Sequence, residues 1–579
     1  SGALQTLNLQ GKFTTVDAGT LGALTTAAIN SLQVNANGVT TTGAVTIDAD
    51  VKTLNIDNST GASTANSLVA SGATKINITG DKKLTVSGHT LNAAAVIDAS
   101  AATGGTTFSS ALATGISYTG GDGADAISLS NAFTKAITTG GGNDVVTYGG
   151  AAATGATPGS VDAGDGDDTI VMSTVEAKAA DGDAAFNSSF LNFEILSIED
   201  QHSGTLDMAG LDNMSQISLA SGGDNVTTAI INNIASGATV TQLGNGVGVV
   251  LNVRDAAFNS GDSLNLVLSK TGGALTAGTL TAAGVETITI SAADAAAATS
   301  AAVIHTATLK ATSATSVTVT GNNGLTLTNT GNVAITNFDA SGVVNNTSTT
   351  STDTAANLAV TFVSANTTVT ADVAIKGGEG NDSLSGSVAK DTIEGNAGAD
   401  FIYTDNAGDK RSEKFTIAGT VETGDKVSAT ILGIASEFTV AATTTATAAA
   451  TGLAAAINDN AELAGLVTAS SAVGVVTVTY LVDGNTAGVA GVTQQDAGDD
   501  ITNTAAQISA GTAGTVAVDT AIGGAGADVI AGGGGDDTLT GGGGVDTFFF
   551  LKAQSTLTTM SQISDYTYAV GGTENDKIT

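Results

Sequence analysis

Apolar and small polar residues alternate along most of the chain in short runs. Residues 73–80 read ATKINITG and residues 314–321 read ATSVTVTG, and similar runs follow at 83–88 and 324–329. Strict alternation of this kind predicts β-strands that bury one face and expose the other. Gly, Asn, Asp and Ser separate the runs, so the strands are predicted to be short and joined by turns.

The same succession of strands occurs twice. VIDAS at 96–100 corresponds to NFDAS at 337–341, and each copy is followed by a Gly-Asp cluster that opens at Gly120 or Gly377. Repeats of this kind stack on their neighbours to bury a continuous core. The chain is therefore predicted to be all-β, an elongated β-solenoid or parallel β-helix.

Residues 411–510 break this pattern. EFTVAATTT and VVTVTYLVDG read as strands, and TATAAATGLAAAINDNAELAG between them contains a helix of Ala and Leu. This segment is predicted to be a small inserted α/β module, and a structural or lattice-contact role is favoured because it carries no recognisable catalytic residues.

The Gly-Asp clusters repeat the nonapeptide G-G-x-G-x-D-x-U-x, in which U is a large apolar residue. The copies fall at 120–128, 139–147 and 163–171, at 377–403, and at 523–549, with a weaker copy at 514–522. Glycines allow the backbone to turn tightly and to direct several carbonyls at one point. The sixth-position Asp adds a carboxylate, and the apolar eighth position starts a strand that points inward.

Each nonapeptide is predicted to form half a coil, so that residues 18 positions apart stack. Asp382 then lies over Asp400, and Asp528 over Asp546. An all-oxygen site with two carboxylates suits Ca²⁺, which takes 6–8 oxygen ligands, better than Mg²⁺ with its tighter octahedron. In the first group Asp125, Asp144 and Asp168 are spaced for full coils with insertions rather than half-coils.

Composition narrows the class of protein. The net charge is −36, from 54 acidic and 18 basic residues, so no basic stripe exists for nucleic acid. With no Cys, disulfide scaffolds, zinc fingers and thiol catalysis are excluded. No apolar run approaches the ~18 residues of a membrane helix. Charge alone fits a solvated acidic surface equally well.

The ends of the sequence suggest a piece of a longer protein. The start has no basic and apolar leader, and the chain stops inside the repeat-like GGTENDKIT.

The nonapeptides resemble those of the RTX family of type I-secreted bacterial proteins. Stretches such as SLVASGATKINITGDKKLTVSGHT and ATSVTVTGNNGLTLTNTGNVAITNFDAS resemble surface-layer (S-layer) proteins of the Caulobacter type, over roughly residues 50–400. The 411–510 module is a departure from that likeness. The resemblance implies a calcium-assembled two-dimensional coat on a Gram-negative cell, in which the partner is a second copy of the chain. It also implies attachment to lipopolysaccharide through a region outside this sequence.

In that family, as the resemblance implies, the first and third positions of each loop give carbonyl ligands and the sixth gives the carboxylate. The candidate calcium ligands, for several ions, are Gly120, Asp122, Asp125, Asp144, Asp165, Asp168, Gly377, Glu379, Asp382, Asp391, Gly395, Ala397, Asp400, Asp409, Asp519, Gly523, Ala525, Asp528, Gly532, Gly534, Asp537, Gly541, Gly543 and Asp546. The predicted segments are solenoid at 1–118 and 173–376, calcium clusters at 119–172, 377–410 and 511–579, and the module at 411–510.

Two other functions fit the repeats. A secreted adhesin or biofilm protein stiffened by calcium would have a similar composition, although adhesin arrays usually repeat near-identical modules. An RTX enzyme is disfavoured, since H-E-x-x-H and G-x-S-x-G are absent and His89, His202 and His305 are scattered among strands. A calcium-dependent structural coat protein is the preferred prediction.

Overall fold

Aliphatic side chains stack in columns through parallel sheets. In the computed structural model, Leu32 pairs with Leu54, Leu54 with Ile76, and Ile76 with Ile97 along successive coils. All four are fully buried, and each contributes about 1.5–3 kcal/mol by leaving water. The predicted all-β solenoid is confirmed: a strand pairs in parallel with the strand one coil further on, and inward and outward residues alternate.

The structure describes residues 5–18, 31–130, 133–149, 159–211, 214–224, 227–293, 301–346, 353–405, 410–432, 434–460, 463, 467–483, 492–495, 501–510, 517–550, 561–567 and 576–578. Two compact units divide the chain, Ser1–Val267 and Leu268–Thr579.

The first unit consists of short strands with one helical excursion. Its strands are β1 (Thr6–Phe13), β2 (Val16–Ala18), β3 (Ser31–Thr41), β4 (Ala44–Ile47), β5 (Thr53–Gly61), β6 (Ser63–Ala70), β7 (Lys75–Gly80), β8 (Leu84–Leu91), β9 (Val96–Ala102), β10 (Thr106–Leu112), β11 (Ser117–Thr119), β12 (Ala126–Leu129), β13 (Ile137–Gly141), β14 (Val145–Thr147), β15 (Val161–Asp165), β16 (Thr169–Met172), β17 (Phe190–Leu191), β18 (Ile195–Ile198), β19 (Gly204–Asp207), β20 (Gln216–Leu219), β21 (Ala229–Ile234), β22 (Thr239–Gln242) and β23 (Gly248–Val253). Strand β24 (Ser263–Leu268) ends at the unit boundary.

The excursion comprises α1 (Thr174–Asp181), α2 (Ala184–Ser189) and, after β19, a 3-10 turn at Met208–Gly210. These helices interrupt the segment that the sequence analysis treats as solenoid. The physical reason is local: Ser173 and Glu176 form a reciprocal capping box at the start of α1, which satisfies two otherwise unpaired backbone N–H groups.

The second unit also contains parallel coils. Its solenoid strands are β25 (Thr276–Thr281), β26 (Thr287–Ala292), β27 (Ile304–Lys310), β28 (Ser316–Gly321), β29 (Gly324–Asn329), β30 (Asn337–Val343), β31 (Val360–Val363), β32 (Val373–Lys376), β33 (Ser383–Ser387), β34 (Asp391–Ala397) and β35 (Phe401–Asp405), and, after the module, β43 (Thr520–Ala525), β44 (Val529–Ala531), β45 (Thr538–Gly543), β46 (Thr547–Phe549), β47 (Gln562–Ile563) and β48 (Lys577–Ile578).

The strands that precede the inserted module pair directly with the strands that follow it. Strand β34 pairs with β43, Thr392 opposite Thr520, and β35 pairs with β44, Phe401 opposite Val529. The Gly-Asp repeats on the two sides of the insertion therefore form one continuous roll, here called the second-unit roll.

The module itself is antiparallel. It contains β36 (Lys410–Gly419), β37 (Lys426–Ile431), β38 (Ile434–Thr439), α3 (Ala446–Asn458), β39 (Val467–Ala472), β40 (Val475–Asp483), β41 (Val492–Gln495) and β42 (Ile501–Ala510). Strands β39, β40, β36 and β42 form one sheet, and β38, β37 and β41 form another.

The module packs on the outward face of the roll. Phe401, Tyr403 and Phe549 of the roll belong to the same buried cluster as Phe415 and Leu453 of the module. Alternation along β35 makes this possible, because Ile402 faces the interior of the roll while its neighbours face the module. The module is thus held by apolar contacts to strands on both sides of its insertion point.

Candidate metal centres

The glycines of each nonapeptide have distinct roles. In most of the loops the second and fourth positions adopt left-handed backbone, as at Gly542 and Gly544 with φ of 97° and 136°, which side chains disfavour. Where the first position is a glycine it has no positive φ, but a Cβ there would collide with the carboxylate of its own loop, as at Gly541 against Asp546. The third position, Gly543, meets only the Gly524 carbonyl at 4.0 Å. Alanine accordingly occupies the third position in two other loops.

The sixth-position aspartates stack into three ladders. In each ladder one carboxylate oxygen accepts the backbone N–H of the corresponding aspartate in the preceding coil. The first ladder comprises Asp125, Asp144 and Asp168, with N···O distances of 2.7 Å at both steps. The first ladder uses one nonapeptide per full coil.

The other two ladders lie in the second-unit roll. The second ladder is Asp382, Asp400, Asp528 and Asp546, with steps of 2.8, 2.8 and 3.0 Å. The third ladder is Asp391, Asp519 and Asp537, with steps of 2.8 and 3.1 Å. Asp400 bonds to Asp528, and Asp391 to Asp519, although 128 residues separate the partners of each pair.

The ladder aspartates differ in whether their second carboxylate oxygen, Oδ2, has a hydrogen-bond partner. Tyr118 donates to Asp125 at 2.9 Å, and the Gly378 N–H donates to Asp382 at 2.7 Å. By contrast, a buried Oδ2 without a hydrogen-bond partner occurs in all three ladders, at Asp144, Asp168, Asp400, Asp519 and Asp528. A buried carboxylate oxygen in this position is costly unless a cation compensates it.

Burial raises the pKa of each of these ten aspartates. Desolvation is the main cause, and repulsion from neighbouring carboxylates adds to it at Asp400 and Asp528, whose pKa rises to about 7. The pKa of Asp519 rises to about 8 for the same reasons. Parallel strands lie about 4.8 Å apart, so two ionised neighbours repel by about 3–4 kcal/mol at an effective dielectric of about 20.

The remaining predicted residues lie elsewhere in the loops. The first-position residues Gly120, Gly377, Gly395, Gly523 and Gly532 each lie against the carboxylate of their own loop. At the third position, the Ala525 and Gly543 carbonyls accept the N–H of Gly398 and Gly526. Ala397 and Gly534 occupy the same position in their loops.

The side chains of the predicted third-position residues lie outside the ladders. Asp122, Asp165 and Glu379 are exposed, and the Glu379 carboxylate accepts the Asn345 N–H at 2.8 Å. At the third position the peptide carbonyl is therefore the group within the loop, while the carboxylate points to solvent. Asp409 lies outside the described residues.

Two ladder residues were missed by the sequence analysis. Asp576 accepts the Asp546 N–H at 3.1 Å and extends the second ladder. Its signal was present, since GGTENDKIT places Asp576 at the sixth position and Ile578 at the eighth. Glu194 extends the first ladder by accepting the Asp168 N–H at 2.8 Å, and no glycine pattern marks it.

The donor set fits a hard divalent cation. The described residues contain no group of three or more His, Cys, Asp or Glu side chains arranged for a metal, so backbone carbonyls must supply most ligands. Carbonyl and paired carboxylate oxygens, without nitrogen or sulfur, are typical of Ca²⁺. Tight glycine turns, stacked carboxylates and unpartnered buried oxygens occur together in all three ladders.

Comparison with known families identifies part of the repeats. A model of the RTX calcium-binding nonapeptide repeat matches residues 376–410 and 514–548, which are the two halves of the second-unit roll. The chain therefore contains RTX repeats, and these bind several Ca²⁺ ions. No curated protein matches the chain.

The histidines have structural partners. His89 lies 3.1 Å from the Ser110 carbonyl, and His202 lies 3.2 Å from the Ile230 carbonyl. Buried His305 accepts the Leu275 N–H and contacts Asn323. Within the described residues, no helix is long and apolar enough to cross a membrane.

Proposed function

We propose that this chain is the lattice-forming part of a secreted, calcium-dependent surface-layer protein of a Gram-negative bacterium, and that its partner is a second copy of itself. The observation that carries the proposal is that the carboxylate ladders are built into the solenoid. Each ladder carboxylate joins adjacent coils. Calcium bound to these carboxylates would therefore stabilise the solenoid itself rather than a separate domain.

The charge of the chain supports a role for calcium in assembly. With a net charge of −36, neighbouring copies repel within a Debye length, about 8 Å at physiological salt. Ions bound in the ladders remove part of this charge and fix the coils in one arrangement. A regular two-dimensional array requires identical subunits of fixed shape.

Two further points support this class of protein. RTX-repeat proteins are typically secreted, and residues 50–400 resemble surface-layer proteins. In addition, the roll fixes the module: Phe401 and Phe549, on opposite sides of the insertion, hold it by apolar contacts. Calcium in the second ladder thereby helps to define the surface that the module presents.

The test is assembly of the purified chain under matched ionic strength. Calcium at about 10⁻⁴–10⁻³ M, the range of extracellular calcium modules, should produce light scattering and ordered sheets in electron micrographs. NaCl or MgCl₂ at the same ionic strength should not. Isolated fibres with calcium would favour the adhesin, and ordered sheets in NaCl alone would refute the calcium mechanism.

A matched pair of variants links assembly to the ladder. Asp400→Asn and Glu379→Gln each remove one negative charge, but Asp400 is buried in the second ladder while Glu379 is exposed. Asp400→Asn should need several-fold more calcium to assemble, and Glu379→Gln should behave as wild type. Equal behaviour of the two variants would mean that surface charge, not the ladder, controls assembly.

A further inference from the structure

The first ladder continues beyond its last glycine loop. The Asp144 carboxylate accepts the Asp125 N–H, and the Asp168 carboxylate accepts the Asp144 N–H. Glu194 then accepts the Asp168 N–H through Oε2 at 2.8 Å. A glutamate thus occupies the place that an aspartate occupies in the preceding coils.

The coil that carries Glu194 has no nonapeptide, yet it stacks on the last loop in register. Phe190 and Leu191 pair with Val161 and Asp162 before the turn. After the turn, Ile195 pairs with Thr169, directly following Asp168.

Asn192 takes the place of a turn glycine in this coil. Its backbone is left-handed, with φ of 59°, a conformation that Asn tolerates better than most residues. Its side-chain amide donates to the Asp162 carboxylate at 2.7 Å. The turn is therefore tight enough to bring Glu194 under Asp168 without glycine.

The space between Asp168 and Glu194 resembles the spaces between successive aspartates of the first ladder. Asp168 is fully buried, and its Oδ2 has no hydrogen-bond partner. Glu194, one coil below, is half-buried; its carboxylate accepts the Asp168 N–H and is close enough to repel the Asp168 carboxylate. A divalent cation bound between them would offset their repulsion and supply a partner for the free oxygen.

We propose that Glu194 is a calcium ligand and that, with Asp168, it completes a terminal site below the last glycine loop of the first ladder. Three aspartates define two gaps, and Glu194 adds a third gap that no sequence motif marks. The loop that ends at Asp168 would supply carbonyl ligands, and the longer glutamate side chain would compensate for the missing glycines. The inference rests on calcium binding by the first ladder and is independent of the coat proposal.

A purely structural role for Glu194 makes a different prediction. As a cap, Glu194 need only accept the Asp168 N–H, and the amide oxygen of Gln would do the same. As a ligand, it must also supply negative charge. Glu194→Gln separates the two roles because it keeps the acceptor and removes the charge.

The experiment counts calcium ions bound by the full chain, by equilibrium dialysis at pH 7.5. Three variants are compared with wild type: Glu194→Gln, Asp144→Asn inside the ladder, and Glu199→Gln as the control. Glu199 is an exposed carboxylate at the end of the same strand. Glu194→Gln should lose one ion, or bind it at least tenfold more weakly, while Glu199→Gln keeps the wild-type number.

The outcomes separate this inference from calcium binding by the ladder. If Glu194→Gln binds as wild type while Asp144→Asn loses calcium, Glu194 is only a cap and the inference is overturned. If Asp144→Asn also binds as wild type, the first ladder holds no calcium and the inference fails with it. Should Glu194→Gln not fold, crystals of the wild-type chain with calcium decide, since a calcium peak must lie within about 2.3–2.6 Å of the Glu194 carboxylate.

Discussion

Acid should replace calcium in ordering the second-unit roll. Seven aspartates of its two ladders have a raised pKa, and for six of them the value is about 6 or higher: about 7 for Asp382, Asp391, Asp400 and Asp528, about 8 for Asp519, and about 6 for Asp537. Burial is the main cause at each. Without metal, the ionised form of each side chain therefore opposes folding.

The magnitude follows from linkage. For Asp400, a pKa of about 7 in the folded chain against 3.8 when unfolded corresponds to about 4 kcal/mol of lost stability at pH 8. Because the folded pKa is the higher one, the loss is absent below pH 3.8, grows between pH 3.8 and about 7, and keeps its full value above pH 7. Six such losses exceed the 5–15 kcal/mol by which a domain is typically stable.

Calcium binds the ionised carboxylates, so in its presence the folded roll should be stable at high pH, where the metal-free roll is not. In metal-free buffer the roll should be unfolded at pH 8 and should recover β-structure as the pH falls to about 4, where the losses vanish. With 5 mM calcium it should be folded at pH 8 without acid.

The assay combines far-ultraviolet circular dichroism with hydrogen–deuterium exchange on protein stripped of calcium by a chelating resin. Peptides from 377–405 and 517–550 report on the roll. Peptides from 53–102 are the internal control, because the pKa values of their Asp81 and Asp98 are lowered rather than raised. Full protection of the roll at pH 8 without metal would refute the reasoning, as would a pH response of equal size in the control peptides.

Four substitutions provide three further tests. Asp400→Asn keeps the acceptor for the Asp382 N–H but removes a charge. Calcium titrations followed by circular dichroism should therefore show a several-fold higher midpoint, and an unchanged midpoint would exclude Asp400 as a ligand. Gly541→Ala places a Cβ against the Asp546 carboxylate, whereas Gly543→Ala in the same loop meets nothing closer than 4.0 Å; only the first should weaken calcium-dependent folding, and equal effects would contradict the assigned register. Phe549→Ala removes a ring from the cluster shared by module and roll. The substitution should lower the free energy of unfolding by about 3–5 kcal/mol and increase hydrogen–deuterium exchange in residues 446–458. Unchanged exchange in that segment would mean that the contact does not hold the module.

The repeats were predictable because their chemistry is local. The nine-residue spacing of Gly and Asp fixes which side chains stack, and the alternation of strands fixes which face inward. For these reasons Asp382 could be placed over Asp400 from the sequence alone. Asp122 and Asp165, at the third position, were expected to act through their backbone carbonyls, and their side chains are exposed.

Long-range relations were not predictable in the same way. Nothing local to Asp400 indicates that its next partner is Asp528, because the pairing depends on a module that leaves and rejoins the roll between them. Glu194 was missed because Asn192 provides the turn that glycine provides elsewhere. Helix α1 was also missed, although Ser173 and Glu176 form a capping box that the sequence does show.

Calcium is expected to lie between stacked carboxylates and to join the roll across its insertion. Anomalous scattering from crystals grown in millimolar calcium locates the ions directly. The account predicts peaks along both ladders of the second-unit roll, including one between Asp400 and Asp528 and one between Asp391 and Asp519. An ordered roll with no peak at either step, and with calcium only beside exposed carboxylates such as Glu379, would contradict it.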